Sequence, residues 1–217
     1  MATKDLPTVM KFPSFQQAFE LLTTSLLLDG KEAGGINTLC VIAAREGYGA
    51  STTALNLALT VAGTGRRTLL VDANLRAPTL HQALNVPKSP GLAEVVMKKA
   101  ALKDAVRAAK TSNLYLLPAG ESSESPHAFL QGAALAALFE QVRGSYDFAV
   151  VDTPPVLRYP DALHIARVTN GAVLVIPAEG APRRTEIEVR RRLERADIKV
   201  LGIVMNRVHP KDAMLVP

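Results

Sequence analysis

Apolar residues in this chain gather into short unbroken runs separated by stretches of helical period. The runs Thr38–Ala43, Thr68–Asp72, Leu114–Pro118, Phe148–Asp152, Ala172–Pro177 and Val200–Met205 are β-branched or Leu-rich and mostly apolar at successive positions. Such runs predict strands buried on both faces, the mark of a parallel sheet covered by helices. Helical patterns fall between them at Thr52–Ala62, Leu92–Lys98, Leu102–Ala109, Pro126–Val142, Ala162–Val168 and Arg183–Arg195. Before the first strand, Ser14 is placed to cap a helix running to about Leu28, with Phe15, Phe19, Leu22 and Leu26 on one face. A turn is expected from Asp29 to Gly35. Strands alternating with helices predict one α/β domain over residues 14–208: a doubly wound, mainly parallel sheet with helices on both faces. Residues 1–13, with Pro7 and Pro13, are expected to form a loose N-terminal arm, and residues 209–217 a short C-terminal tail.

Composition narrows the class. With 217 residues, 48% of them hydrophobic and 21% charged, one domain can bury a sizeable core. The single cysteine, Cys40, sits in an apolar run and is expected to be a buried, inert thiol in a reducing compartment. No apolar run approaches the ~20 residues of a membrane span, and the N-terminus lacks a signal-peptide layout. These features predict a cytoplasmic protein. Much of the +5 net charge lies in Lys98–Lys110 and Arg183–Arg195. In the second stretch Glu186 to Arg190 and Glu188 to Arg192 stand at i,i+4, as on a solvated helix face. An acidic partner or membrane headgroups are the other reading. No aromatic platform is interleaved with the charges, so nucleic acid is not expected as a partner.

Ligands of doubly wound sheets sit at the carboxyl ends of strands, which directs attention to the loops after Ala43, Asp72 and Asp152. The first runs through "AREGYGAST" from Ala44. Gly47 and Gly49 allow a tight turn with inward N–H groups, and a helix opening near Ser51 and Thr52 adds its own unbonded N–H groups and positive dipole end. This follows the phosphate-binding P-loop pattern G-x-x-x-x-G-K-[ST], except that Ala50 replaces the lysine and Ala44 the first glycine. The second loop, "LLVDANLRAP", offers Asp72 and Asn74; the third, "DFAVVDTPP", offers Asp152. Strand-end acids in P-loop proteins hold Mg²⁺ or orient water.

The whole arrangement resembles the cytoplasmic kinase domain of bacterial tyrosine kinases that serve capsule and exopolysaccharide export, within the MinD/ParA-like P-loop ATPases. "AAREGYGASTTALNLAL", "RRTLLVDANLRAPTLH" and "YDFAVVDTPPVLRYPDA" carry the resemblance, with "PGLAEVV", "LYLLPAG" and "VLGIVMNRV" in order between and after them. It extends from about Ser14 to Val208. It implies a Mg-nucleotide held by Gly47, Tyr48, Gly49, Ala50, Ser51 and Thr52, with Ser51 and Asp152 as Mg²⁺ ligands and Asn206 against adenine. Arg45 stands where relatives place a signature lysine that crosses a dimer interface.

The chain departs from that family in several places. The loop lysine is Ala50, and the family's D-x-D is Asp72-Ala73-Asn74. The assembly motif E-x-x-R-x-x-R reads Gln17, Glu20 and Thr23, and no tyrosine cluster ends the chain; Tyr48, Tyr115, Tyr146 and Tyr159 are internal. A catalytically impaired pseudokinase is therefore expected, with Asp72, Asn74 and Asp152 vestigial and Mg-ATP or Mg-ADP binding weak or absent. Its expected partner is the cytoplasmic part of a membrane polysaccharide co-polymerase or a true kinase, reached at the inner face of the plasma membrane. A monomer or dimer is expected rather than an octameric ring. Alternatives are an ATP-binding switch or weak ATPase using Arg45 or a partner's cation, an active tyrosine kinase, and a ParA-like partitioning role. Tyr48 is a candidate to fold into the loop.

Overall fold

A computed structural model describes residues 13–32, 36–180 and 182–208. The expected arm at residues 1–12 and tail at 209–217 lie outside that description. The helices are α1 (Pro13–Glu32), α2 (Ala50–Gly63), α3 (Leu80–Ala83), α4 (Leu92–Val96), α5 (Leu102–Ala105), α6 (Pro126–Leu130), α7 (Ala133–Ser145), α8 (Asp161–Ala166) and α9 (Arg183–Arg195). The strands are β1 (Thr38–Ala43), β2 (Thr68–Asp72), β3 (Arg107–Ala108), β4 (Leu114–Leu117), β5 (Phe148–Asp152), β6 (Ala172–Pro177) and β7 (Val200–Asn206). They form one sheet in the order β3-β4-β2-β5-β1-β6-β7, parallel throughout except for β3 on β4.

Every residue of β1, β2 and β5 is buried. Their alternation divides two cores. Cys40, Ile42, Leu69, Val71, Ala149 and Val151 point to one side, where α4, α7, α8 and α9 pack. Leu39, Val41, Leu70, Phe148 and Val150 point to the other, under α1 and α2. Period-two side chains on strands covered from both sides require this arrangement. Burial pushes the Cys40 thiol up to about 12, in keeping with an inert core cysteine.

Several expectations are corrected. The first helix begins at Pro13, where a proline is tolerated in the first turn, and continues to Glu32, so no turn opens at Asp29. Phe19 and Leu26 are buried as predicted. The helical pattern at Leu102–Ala109 holds only to Ala105; the chain then extends, and Arg107 and Ala108 pair antiparallel with β4. Pro126–Val142 is two helices, parted at Gln131 and Gly132, with Gly132 extended as the N-cap of α7. The helix from Leu92 ends at Val96, where Lys98 turns left-handed (φ 59°). On α9, Glu188 and Arg192 pair at 3.0 Å, but Arg190 pairs forward with Glu194 rather than back to Glu186. The last strand is not covered on both faces: Ile203 and Met205 are exposed.

Candidate functional site

The carboxyl ends of β2, β5 and β1 lie side by side, so the three loops singled out from the sequence meet in one crevice. Between Ala43 and α2 the loop turns on Gly47 (φ 78°) and Gly49 (φ 97°), backbone states that L side chains rarely adopt. Gly49 is the N-cap of α2 and has a second constraint. A Cβ there would meet the Asn206 side-chain amide at 2.1 Å. Asn206 Nδ2 donates to the Tyr48 carbonyl at 2.9 Å, and Asn206 Oδ1 accepts from Arg207 N–H at 2.8 Å. The Arg207 guanidinium donates to the Gly47 carbonyl. Asn206 and Arg207 thus strap the end of β7 to the loop, and the Asn206 amide expected against adenine is engaged with protein backbone.

Among the described residues, the N–H groups from Gly47 to Thr52 find no internal acceptor. They sit at the head of a 14-residue helix whose dipole also favours an anion. Ala50 is half-buried and packs against the core beside Tyr48, which is itself half-buried and in contact with both cores. Tyr48 therefore folds inward, as anticipated. Arg45 is exposed and makes no ion pair among the described residues, whereas its neighbour Glu46 pairs with Arg158 at 2.7 Å.

Asp72 and Asp152 are register partners on adjacent strands and both have no solvent exposure. Asp72 Oδ2 accepts from the Leu80 N–H at 3.1 Å, while Oδ1 has no partner. Burial pushes the Asp72 carboxyl up to about 7, against the pull of the Leu80, Asn74 and Thr79 N–H groups and of Lys88. Asp152 is raised well above the carboxylate range by burial first and by the Asp72 charge second. The Ser51 hydroxyl and the Thr153 N–H pull the other way. Neither closes a hydrogen bond of normal geometry, and both Asp152 oxygens remain without one. Asn74 faces away from this pair: its Oδ1 accepts from the Ala77 N–H at 3.3 Å and closes its own turn.

Three buried carboxylate oxygens without partners, beside a half-buried serine hydroxyl, suit a hard cation. Among the described residues no three His, Cys, Asp or Glu side chains form a metal cage. The set fits Mg²⁺, which characteristically takes few protein ligands and completes its shell with phosphate oxygens and water.

Two residues that matter to this geometry were missed as site residues. Arg76 Nε holds Asp161 Oδ2 at 3.0 Å and lies over the Tyr159 ring at 4.7 Å, joining the loop after β2 to the start of α8. Both stand inside the motifs read from the sequence, Arg76 two positions past Asn74 and Asp161 at the end of "RYPD". The loop after β5 is also pinned to β1, through Thr153 Oγ1 to the Val41 carbonyl (2.8 Å) and Val156 N–H to the Ala43 carbonyl (3.0 Å).

Backbone donors converging at the head of α2, next to strand-end acids on a parallel sheet, make this a protein of the P-loop NTPase class. The family model described as "AAA domain" matches residues 36–185. Tyrosine-protein kinase YwqD of Bacillus subtilis is 33% identical over 171 residues, covering 79% of this chain and 72% of that protein. The chain belongs to this family of bacterial tyrosine-protein kinases. The crystal structure of the chimerical protein CapA2B2 has a TM-score of 0.87 and 26% identity, covering 96% of this chain and 92% of that one. The septum site-determining protein MinD of Pyrococcus horikoshii, complexed with Mg-ADP, has a TM-score of 0.67 and 25% identity, with 83% and 78% covered. Among the described residues no helix is long and apolar enough to cross a membrane.

Proposed function

We propose that this chain is a catalytically impaired tyrosine-kinase-family protein, kept as a regulatory or scaffold component of bacterial exopolysaccharide or capsule synthesis and export. The observation that carries the reading is Ala50 at the head of α2, inside a loop whose backbone cradle is otherwise built. In P-loop phosphoryl transfer the lysine at that place neutralises charge on the β- and γ-phosphates. An alanine offers no donor, and losing one side of a buried charge-assisted contact costs about 2–5 kcal/mol. Asn74 removes a second charge, and its side chain serves a turn instead.

Loss of transfer does not require loss of binding. The N–H groups from Gly47 to Thr52 would hold phosphate, and Ser51 and Asp152 would hold Mg²⁺, which supplies charge neutralisation when bound with nucleotide. The proposed partner is the cytoplasmic part of a membrane polysaccharide co-polymerase or a catalytically competent kinase, met at the membrane's inner face. Of the positions matching the family's assembly motif, Gln17 and Glu20 are exposed and Thr23 is buried. None carries the arginines of that motif, which supports a monomer or dimer.

A second reading, a nucleotide-dependent switch or slow ATPase, is favoured by Arg207. Its guanidinium donates to the Gly47 carbonyl of the phosphate loop, a cation at the loop in addition to the exposed Arg45. The test is phosphate transfer from labelled Mg-ATP to a tyrosine-rich tail peptide, with phosphate release followed in parallel. The pseudokinase reading expects neither from the native chain, with or without its partner. Transfer by the native chain would overturn it, and release without transfer would favour the switch.

A further inference from the structure

Between α8 and α9, outside the crevice at the strand ends, lies a groove of about 400 Å³. Leu163 and Ala196 contribute apolar floor, and His164, Arg167, Arg192 and Arg195 line the rest. No carboxylate lines it. Arg167 is held at one nitrogen of its guanidinium and Arg192 at two. Arg167 Nε donates to the Ala196 carbonyl at 3.3 Å. Arg192 donates through Nη1 to the Val156 carbonyl at 3.1 Å and through Nε to Glu188 at 3.0 Å. Both Nη groups of Arg167, Nη2 of Arg192 and all of Arg195 have no acceptor among the described residues.

Glu188 offsets Arg192, which leaves Arg167 and Arg195 without a counter-charge among the described residues; like charges held together repel one another, and an anion relieves that repulsion. Guanidinium forks suit a phosphate in particular, since they present paired donors. The apolar floor adds a requirement that free phosphate does not meet: part of the ligand is a carbon surface. The volume admits a single aromatic side chain bearing a phosphate. We infer that this groove reads phosphotyrosine on a partner chain. The inference rests on membership in the tyrosine-kinase family, where phosphotyrosine is the product at hand, and not on nucleotide binding by this chain. Arg192 also gives the reader a physical link to the crevice. It grips the loop after β5, whose other end is tied to Arg76 through Asp161 and to the phosphate loop through Arg158 and Glu46.

The test is a calorimetric titration of the whole chain with N-acetyl-phosphotyrosine amide, beside N-acetyl-tyrosine amide and inorganic phosphate. Saturable binding of the phosphorylated amide alone is expected. Arg195→Ala should weaken it about 10-fold, the size of one charge-assisted contact, and Arg167→Ala by a comparable factor. Both are surface changes, and matching thermal melts will show that the fold is retained. No binding, equal binding of inorganic phosphate, or affinity indifferent to both substitutions would overturn the inference. So would displacement by Mg-ADP, which would place the ligand in the crevice. Vesicles rich in anionic lipid that respond to the two substitutions, with the amide silent, would assign the groove to a membrane surface instead. A separate Mg-ADP titration reports on the crevice, so failure of the reader and failure of the proposed nucleotide site are distinguishable.

Discussion

Two regions of this molecule have exchanged what a phosphate needs. The crevice at the ends of β1, β2 and β5 keeps a complete backbone cradle but has Ala50 where a cation belongs, above two buried acids that repel each other. The groove between α8 and α9 has no backbone cradle but three arginines, of which only Arg192 is paired with an acid, Glu188. The first is a site of fixed dipoles beside two buried carboxyls that burial holds toward the protonated form. The second is a site of side-chain charge that only Glu188, on Arg192, offsets. Backbone geometry is locked by the core, since β1 and β5 are buried along their whole length. On the proposed reading, one residue at the head of α2 separates the chain from its family's chemistry while the surrounding architecture stays in place.

The comparison is broken most strongly if the acids in the crevice are not strained. Asp72 titrates in the folded chain at about 7, above its ordinary 3.8. Between those values the folded chain keeps a proton that the unfolded chain has released. The stability this provides is full below about pH 4 and is lost as pH rises through about 7, at up to about 1.4 kcal/mol per pH unit. In metal-free buffer Asp72→Asn should therefore gain stability over the native chain as pH is raised from 5 to 8, read from urea midpoints. A difference that does not grow with pH would mean that the acids are solvated or already compensated.

The loop shared by the two regions comes next. Asp161→Ala leaves Arg76 without its partner, and because Arg76 is 30% exposed the loss should be moderated to about 2 kcal/mol. Weakened binding of both N-acetyl-phosphotyrosine amide and Mg-ADP would show that the crevice and the groove lean on one strut. A change confined to one ligand would separate them. The smallest effect is expected for Arg158→Ala. Its ion pair with Glu46 has both side chains more than half exposed, so stability should fall by less than about 1 kcal/mol by thermal melt. A larger loss would mean that the phosphate loop depends on that surface contact.

Much of this was legible in the sequence, for identifiable reasons. The apolar runs became strands because burial on both faces leaves no ambiguity about their environment, and the positive φ at Gly47 and Gly49 was written in the glycines themselves. What was not legible depended on partners distant in the chain. Arg107 and Ala108 leave the helical pattern because β4 offers an unpaired edge, which a local period does not reveal. Gly132 parts a helix that its neighbours would continue. The bond from the Asn206 amide to the Tyr48 carbonyl at 2.9 Å likewise joins residues far apart in the chain. The groove escaped notice because the basic run of α9 looks like a solvated face until Arg167 and His164 of the α8 segment are brought against it.

The central claim is that the cradle survives and its cation does not. Isothermal titration of the native chain and of Ala50→Lys with Mg-ADP tests it most directly. The account predicts weak or no binding by the native chain and binding at least tenfold tighter by Ala50→Lys, because the lysine would complete a site whose backbone is already in place. Equal affinities would contradict it, showing that Arg207 or another group already supplies the missing charge or that the loop no longer accepts phosphate at all.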